Sequence, residues 1–347
     1  MRKMRISILV LLIIASIAYS SVWFFSATAI KNNILASLKH FKEERKFDIA
    51  YESVSLGGFP YHIKVTFKKP VITLYKSAVE LLSMNMPTLT IASDLLGKQY
   101  EILESNDIQF SVNKKIYSLN YNAPPTIKVE FNHSPLFSKL KAGEEYKWWN
   151  NVNAIDYSDK GYKIFDRANQ PVYASSHTGF KVKHNISPTS NTVDGNIIFK
   201  DFVCLTKGKV IKFDFDTGMG VEIIHNENKE DIAPYDLIKL SLKNYNLIAE
   251  NFTVKASGEF QSSKEEFTPL GKLNIDISNY NNLLEQLYII LNIENQEKFA
   301  NLLTEKIATV NGDNLSFSIE RKSGGMLQVG NITMPEILAY FLGANNQ

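Results

Sequence analysis

The segment at residues 6–30 constrains this chain most, because its 25 residues include no charged side chain. As a helix rising ~1.5 Å per residue it would span roughly 37 Å, enough to cross a hydrocarbon core of about 30 Å with some tilt. Arg2, Lys3 and Arg5 lie directly before it, and the positive-inside bias holds such residues in the cytoplasm. We therefore predict a cytoplasmic tail at residues 1–5, a transmembrane anchor at 6–30, and translocation of the rest of the chain.

A cleaved secretory signal is the alternative, since Ala27, Thr28 and Ala29 satisfy the small-residue rule for a cleavage site. The apolar run is longer than the roughly 7–15 residues of a signal core, which favours a retained anchor.

Residues 31–46 are predicted to continue as an amphipathic helix. Ile34, Leu35, Leu38 and Phe41 form one apolar stripe opposite the lysines. Such a helix could lie among lipid headgroups or pack on the following domain, and we favour packing.

From Tyr51 onward the hydrophobic period becomes two, which is typical of half-buried strands. The alternating positions include Ile63, Val65, Phe67, Ile127, Val129, Phe131, Phe180, Val182, Ile211, Phe213, Phe215, Phe252, Val254, Leu273, Ile275, Ile277, Leu315, Phe317 and Ile319. Turn signals at Asp159-Lys160-Gly161 and Ser323-Gly324-Gly325 favour antiparallel hairpins. We predict a mainly β fold with accessory helices: one curved antiparallel sheet or half-barrel over residues 47–347, with a change of character near residue 165 that indicates two lobes.

Three accessory helical segments follow from 3.6-residue periodicity near the carboxyl end. The first carries Leu283, Leu284, Leu287, Ile290 and Leu291 behind a capping box of Asn282 and Glu285, the second carries Phe299, Leu302, Leu303 and Ile307, and the last starts at Thr333 and Glu336 and carries Ile337, Leu338, Phe341 and Leu342. A further helical insertion is predicted at residues 134–149. It ends in Trp148 and Trp149, which are expected to be core or cap residues, with contact to a membrane or a partner as the alternative.

Composition excludes some functions. Thirty-eight basic and 36 acidic residues leave a net charge of +2, so a nucleic-acid partner is not expected. The single cysteine, Cys204, lies in an apolar stretch and is predicted to be a buried structural thiol.

The sequence contains no recognised catalytic motif. The six histidines show no metal-ligand spacing, and no nucleophile elbow, phosphate-binding loop or dinucleotide fingerprint occurs. Asp216-Thr217-Gly218 matches the tripeptide of aspartic proteases, but Asp214 precedes it and Met219 follows, where that family has apolar and small residues. The favoured interpretation is a strand with outward aspartates running into a glycine turn, and a metal pair of Asp214 and Asp216 is the other alternative. We predict no enzyme, no cofactor and no metal.

One motif soon after the anchor suggests a family. Leu56-Gly57-Gly58-Phe59-Pro60-Tyr61-His62-Ile63 resembles the G-F-P-[YF]-x-[IVL] signature of a bacterial membrane-anchored envelope family catalogued as domain of unknown function 2125. The tail is similar too, in Gly271-Lys272-Leu273, Gly325, Leu327, Val329 and Gly330-Asn331-Ile332-Thr333-Met334-Pro335. That family broadly resembles AsmA-type proteins of the periplasm, whose curved sheets present an apolar concave surface. The resemblance implies a single-pass inner-membrane protein with its bulk in the periplasm, and it transfers no catalytic residue.

Within the motif Gly57, Gly58, Phe59 and Pro60 are expected to be structural. Gly58 would allow a positive φ or a close backbone approach, and Pro60 would fix the entry to the first long strand.

Three functions compete. A lipid-handling protein would hold acyl chains of membrane lipid in an apolar groove lined by Ile63, Val65, Phe67, Ile211, Phe213 and Phe215. A membrane-tethered scaffold with a closed core would bind other envelope proteins. A hydrolase acting through Asp216 is the remote third.

Overall fold

The computed structural model describes residues 2–43, 47–76, 79–132, 151–187, 189–206, 209–225, 235–263, 266, 268–291 and 296–342. Side chains of the first helix, α1 (Arg2–Glu43), are described from Ile14 onward, apart from those of residues 40 and 41. The described chain is mainly β, and every strand pair whose register is described is antiparallel. This confirms the prediction of a mainly β, antiparallel fold. It divides into two compact units, Met1–Val172 (unit 1) and Tyr173–Gln347 (unit 2).

Unit 1 contains α1 and, among the described residues, twelve short strands. These are β1 (Phe47–Ala50), β2 (Ser53–Gly57), β3 (Ile63–Lys68), β4 (Val71–Lys76), β5 (Val79–Asn85), β6 (Thr88–Ser93), β7 (Gln99–Glu104), β8 (Asp107–Val112), β9 (Lys115–Tyr121), β10 (Thr126–Phe131), β11 (Val152–Ser158) and β12 (Tyr162–Phe165).

The chain of unit 1 alternates between two ladders of strands. One runs β1–β4–β5–β8–β9–β12 and the other β2–β3–β6–β7–β10–β11. Hairpins such as β4–β5 stay within one ladder, whereas the next connection changes ladder. The Asp159 turn is therefore not the hairpin that the sequence predicts, because β11 and β12 belong to different ladders. It is still a tight turn, in which the Gly161 amide donates to Asp159 Oδ1 at 2.8 Å.

The core of unit 1 joins both ladders to the carboxyl-terminal half of α1. Ile63, Val65 and Phe67 on β3 are fully buried, as are Ala27 and Ile30 on the helix. Partly buried neighbours complete the cluster and include Ile34, Leu35, Leu38, Ile49, Ile72, Met84, Ile102 and Leu119. Three residues of the predicted apolar stripe, Ile34, Leu35 and Leu38, thus pack on the domain, as the packing alternative predicts, and the Phe41 side chain lies outside the described residues.

Among the described residues, no helix combines the length and the apolar character of a membrane span. The anchor at residues 6–30 remains a prediction from the sequence.

Unit 2 is built on much longer strands. They are β13 (Pro171–Ser175), β14 (His177–Ile186), β15 (Ser190–Thr206), β16 (Lys209–His225), β17 (Tyr235–Ala249), β18 (Thr253–Ser263), β19 (Leu270–Ser278), β20 (Thr309–Asn311), β21 (Asn314–Arg321), β22 (Gln328–Val329) and β23 (Ile332–Thr333). Here consecutive strands pair, in the order β14–β15–β16–β17–β18–β19–β21, and β13 pairs with the end of β15. The predicted hairpin at Ser323-Gly324-Gly325 is confirmed, because it joins the paired strands β21 and β22.

Helices connect β19 to β20, and a further helix follows β23. They are α2 (Tyr280–Leu291), α3 (Gln296–Asn301) with a π-helical turn (Leu302–Ile307), and α4 (Met334–Leu342). The start of α4 is confirmed in detail, since the Thr333 amide and hydroxyl both donate to Glu336 Oε2. The capping box on α2 is wrong, because that helix begins at Tyr280 and the Asn282 side chain donates to the Asn251 carbonyl instead. The insertion at residues 134–149, with Trp148 and Trp149, lies outside the described residues.

The buried core predicts a large penalty for truncation. Replacing Ile63 by Ala should lower the free energy of unfolding by about 2–5 kcal/mol, because it removes packed methyl groups and leaves a cavity. The same change at half-exposed Ile116 on β9 loses strand propensity alone, at most about 1 kcal/mol. Urea unfolding of the full chain checks both, and equal effects at the two positions would contradict the burial of Ile63 in the core of unit 1.

A second prediction concerns Glu104 at the end of β7. Its partner in register is Leu89, which is in turn opposite Phe67, so Glu104 lies on the core face, and burial raises the pKa of its carboxyl. Because the pKa is higher in the folded state, the carboxyl of the unfolded chain ionises first as the pH rises. The free energy of unfolding therefore falls between the ordinary carboxyl pKa and the folded-state pKa. Glu104→Gln should therefore stabilise the protein at pH 7.5 and lose that advantage near pH 4, as measured by urea unfolding.

The matched control is Glu130→Gln on the exposed side of β10, where we expect less than about 0.5 kcal/mol at either pH. A gain for Glu104→Gln that is independent of pH would rule out the burial explanation.

Candidate functional site

The strand register of unit 2 places apolar side chains on one face of the sheet. In one row across six strands, Phe199, Phe215, Leu247, Val254, Ile277 and Leu315 are successive partners. A neighbouring row holds Ile197, Thr217, Tyr245, Ala256, Ile275 and Phe317. Because side chains of directly paired residues project to the same side, these rows form one continuous surface, which we call the apolar face.

Burial on the apolar face changes from one side to the other. Ile277 and Leu315 are buried, and so are Leu284, Leu302 and Ile307 of the helical segment that joins β19 to β20. We infer that this segment covers the β19–β21 side of the face. On the central strands, by contrast, Met219 is 46% exposed and Leu240 is 45% exposed.

An aromatic cavity occupies the uncovered part of the face. It has a volume of about 300 Å³ and is lined by Phe199, Phe202, Phe213, Phe215, Tyr245 and Leu247. The rings pack closely, with centroid separations of 5.0 Å for Phe202 and Phe213 and 5.2 Å for Phe215 and Tyr245. Burial raises the pKa of the Tyr245 phenol, so this hydroxyl stays neutral at physiological pH.

The opposite face of the same strands is charged. Lys200 pairs with Asp214 at 3.2 Å, Lys239 with Glu222 at 3.2 Å, and Lys243 with Asp194. The first two pairs join neighbouring strands, and the third reaches from β17 across β16 to β15. All three pairs are partly exposed, so they add little stability but keep this face solvated. The sheet therefore has one charged and one apolar side.

The six predicted groove residues fall into two different settings. Ile63, Val65 and Phe67 are fully buried in the packed core of unit 1. Ile211, Phe213 and Phe215 lie partly buried on the apolar face of unit 2, where Phe213 and Phe215 line the cavity. Only the second group lies beside open space.

The Asp216 tripeptide lies inside β16, with Asp216 itself on the charged face. Asn196 donates to Asp216 Oδ1 at 3.0 Å, and Asp214 is held by Lys200 and the Asp201 amide. The predicted glycine turn is wrong, because the strand continues to His225. The irregularity at this place is a bulge in the partner strand β17, whose Asn244 side chain lies over Gly218.

Cys204 differs from its prediction as well. It is half-buried on the apolar face, paired with Ile211 and Tyr173, and is not a fully buried core thiol.

Four cavity residues were missed by the sequence analysis: Phe199, Phe202, Tyr245 and Leu247. Phe199 and Phe202 are three positions apart and so break the two-residue period, but the bulge at Asp201, with φ +45°, returns both rings to one face. A second bulge, between Leu242 and Tyr245, breaks the two-residue period of β17 in the same way, so the sequence pattern did not reveal this strand. The signal for the first bulge in the sequence is the pair of phenylalanines, Phe199 and Phe202, on either side of two polar residues.

Within the described ranges, no group of three or more histidine, cysteine, aspartate or glutamate side chains is placed to hold a metal ion. No family model, curated protein or solved structure matches the chain. The resemblance of the residue 56–63 motif to an envelope family stays a prediction.

The position of Cys204 gives a direct test of the apolar face. Burial raises the pKa of this thiol, so less thiolate is present at neutral pH and alkylation by iodoacetamide should be slower than in the unfolded chain. The rate should rise with pH beyond the range in which the unfolded thiol has already reached its plateau. Mass-spectrometric rates between pH 7 and 10, with and without urea, check this, and identical profiles would contradict it.

Proposed function

We propose that this chain is a non-enzymatic, inner-membrane-anchored protein of the bacterial envelope that holds acyl chains of membrane lipid on the apolar face of unit 2. The observation that carries the proposal is the apolar row from Leu315 and Ile277 to Phe215 and Phe199. It begins in a covered core and ends in an open aromatic cavity.

Acyl chains suit such a surface physically. Burial of apolar area is non-directional and gives about 0.8 kcal/mol per methylene group, so a flexible chain can lie along the row without specific partners. A cavity near 300 Å³ is at the lower end of the range for ligand pockets, which fits one segment of a chain better than a whole lipid. Exposed apolar patches of this kind commonly mark binding surfaces.

Curvature of the sheet belongs to the same proposal. Bulges interrupt the ladders at Phe199/Phe202, Gly218/Met219 and Leu242/Tyr245, close to the cavity. The last two shifts are the two sides of one bulge in β17, so the bulged strands are β15 and β17, on either side of β16. Because a bulge bends its strand and increases the local twist, these two bulges support a half-barrel with the apolar face inside.

A membrane-tethered scaffold that binds other envelope proteins is the second candidate. It is favoured by the filled core of unit 1, where Ile63, Val65 and Phe67 are fully buried. The two functions are compatible, with unit 1 as the structural part and unit 2 as the lipid-holding part.

Photocrosslinking can test lipid binding in cells. Cells producing the full chain are fed a diazirine fatty acid, irradiated, and the crosslinked peptides are mapped. We expect crosslinks within β15, β16 and β17, in addition to any in residues 6–30. Leu240→Lys places a charge on the apolar face and should reduce the β15–β17 crosslinks at least tenfold, because an ammonium group in contact with acyl chains must be dehydrated.

Ile248→Lys is the matched control. It lies on the same strand with a similar exposure of 49%, but it pairs with Asp214 on the charged face and should leave the crosslinks within twofold. Crosslinks confined to residues 6–30, or an equal loss in both variants, would overturn the proposal.

A further inference from the structure

The turn before β3 packs against α1 through aromatic side chains. Tyr19 Oη donates to the Pro60 carbonyl at 2.6 Å, and Trp23 Nε1 donates to the His62 carbonyl at 3.0 Å. The Phe59 ring lies edge-on to Trp23, with the centroids 5.4 Å apart. Together with Tyr61, these residues form what we call the aromatic collar: Tyr19, Trp23, Phe59 and Tyr61.

The turn has a fixed shape. Gly58 has φ +94°, and an added Cβ would come within 2.6 Å of the His62 carbonyl oxygen, so both properties predicted for this glycine are present. The His62 amide closes the turn by donating to the Gly58 carbonyl at 3.0 Å. The motif therefore holds Phe59 and Tyr61 at a defined place beside the helix.

The collar is apolar and exposed. Phe59 is 55% exposed and Tyr61 is 77% exposed, and Phe25 on the adjoining helix is 76% exposed. Two residues further along α1, Ala27 is fully buried in the core of unit 1. Within a single turn, α1 thus changes from an exposed apolar segment to a packed one. The collar lies beside the exposed side of this transition.

We propose that the aromatic collar lies in the interface of a lipid bilayer, between the acyl chains and the headgroups. Tyrosine and tryptophan prefer this layer because their rings are apolar while their hydroxyl and indole N–H groups form hydrogen bonds. In the collar the polar groups of Tyr19 and Trp23 donate to backbone carbonyls, and the Phe59 and Tyr61 rings are exposed and can meet lipid.

The length of the helix supports this position. From Arg5 to Trp23 there are 18 residue steps, which at ~1.5 Å each give about 27 Å, close to the roughly 30 Å of a hydrocarbon core. The basic residues at one end and the collar at the other would then occupy the two opposite interfaces. The inference rests on the proposed anchoring by α1 and is independent of lipid binding on unit 2.

Fluorescence quenching in proteoliposomes tests the collar. Phe59→Cys and Tyr61→Cys are made separately in a Cys204→Ser background, labelled with an environment-sensitive fluorophore, and reconstituted as full chains in phosphatidylglycerol–phosphatidylcholine vesicles. Lipids spin-labelled near the headgroup should quench both positions at least twofold, and more than lipids labelled near the acyl terminus. Ile116→Cys, exposed on β9 of the same unit, is the control and should change by less than a tenth.

Vesicle flotation separates the possible failures. If the protein floats with vesicles but positions 59 and 61 behave like position 116, the anchor stands and the collar inference is overturned. If the protein does not float, both are overturned. Trp23 itself, observed in a W148F/W149F background with brominated lipids, should give the same shallow depth without any change in the collar, and a deep or unquenched Trp23 would also overturn the inference.

Discussion

Antiparallel register is the constraint on which both units depend. A strand alternates its side chains, so a two-residue hydrophobic period yields a useful surface only when neighbouring strands align their apolar positions. In unit 2 this alignment holds over six strands, from Phe199 to Leu315. A slip of one residue at any pair would send apolar groups into the charged rows of Asp214 and Lys239 and would break the surface in two.

The order in which strands pair explains why the same alternation has two outcomes. In unit 1 the chain changes ladder after every hairpin, which brings both ladders and α1 around one core containing Ile63, Val65 and Phe67. In unit 2 the strands from β14 to β19 pair in sequence order, and the buried residues near the helical segment, Ile277 and Leu315, lie on β19 and β21. The central strands retain partly exposed apolar residues such as Met219 and Leu240.

Bulges decide where the apolar face is richest in aromatics. At Asp201 the extra residue brings Phe199 and Phe202 to the same side, where their centroids are 5.6 Å apart. In β17 the extra residue between Leu242 and Tyr245 likewise brings both of these side chains to the apolar face. A strand without these irregularities would have placed one of the two phenylalanines among the charged residues. The cavity thus depends on local departures from the regular ladder.

Period-two alternation in the sequence determined that the chain is mainly β and that β3, β16 and β21 have one apolar side, because side-chain alternation is a local property of the backbone. Local chemistry also determined the positive φ of Gly58 and the capped start of α4 at Thr333. Tertiary structure alone decided which apolar strands became a filled core and which stayed open, since that depends on strand order and on what covers each face. It likewise decided that Phe199 and Phe202 share a cavity and that Tyr19 and Trp23 meet the Phe59 turn, because these contacts join residues whose proximity no local pattern encodes.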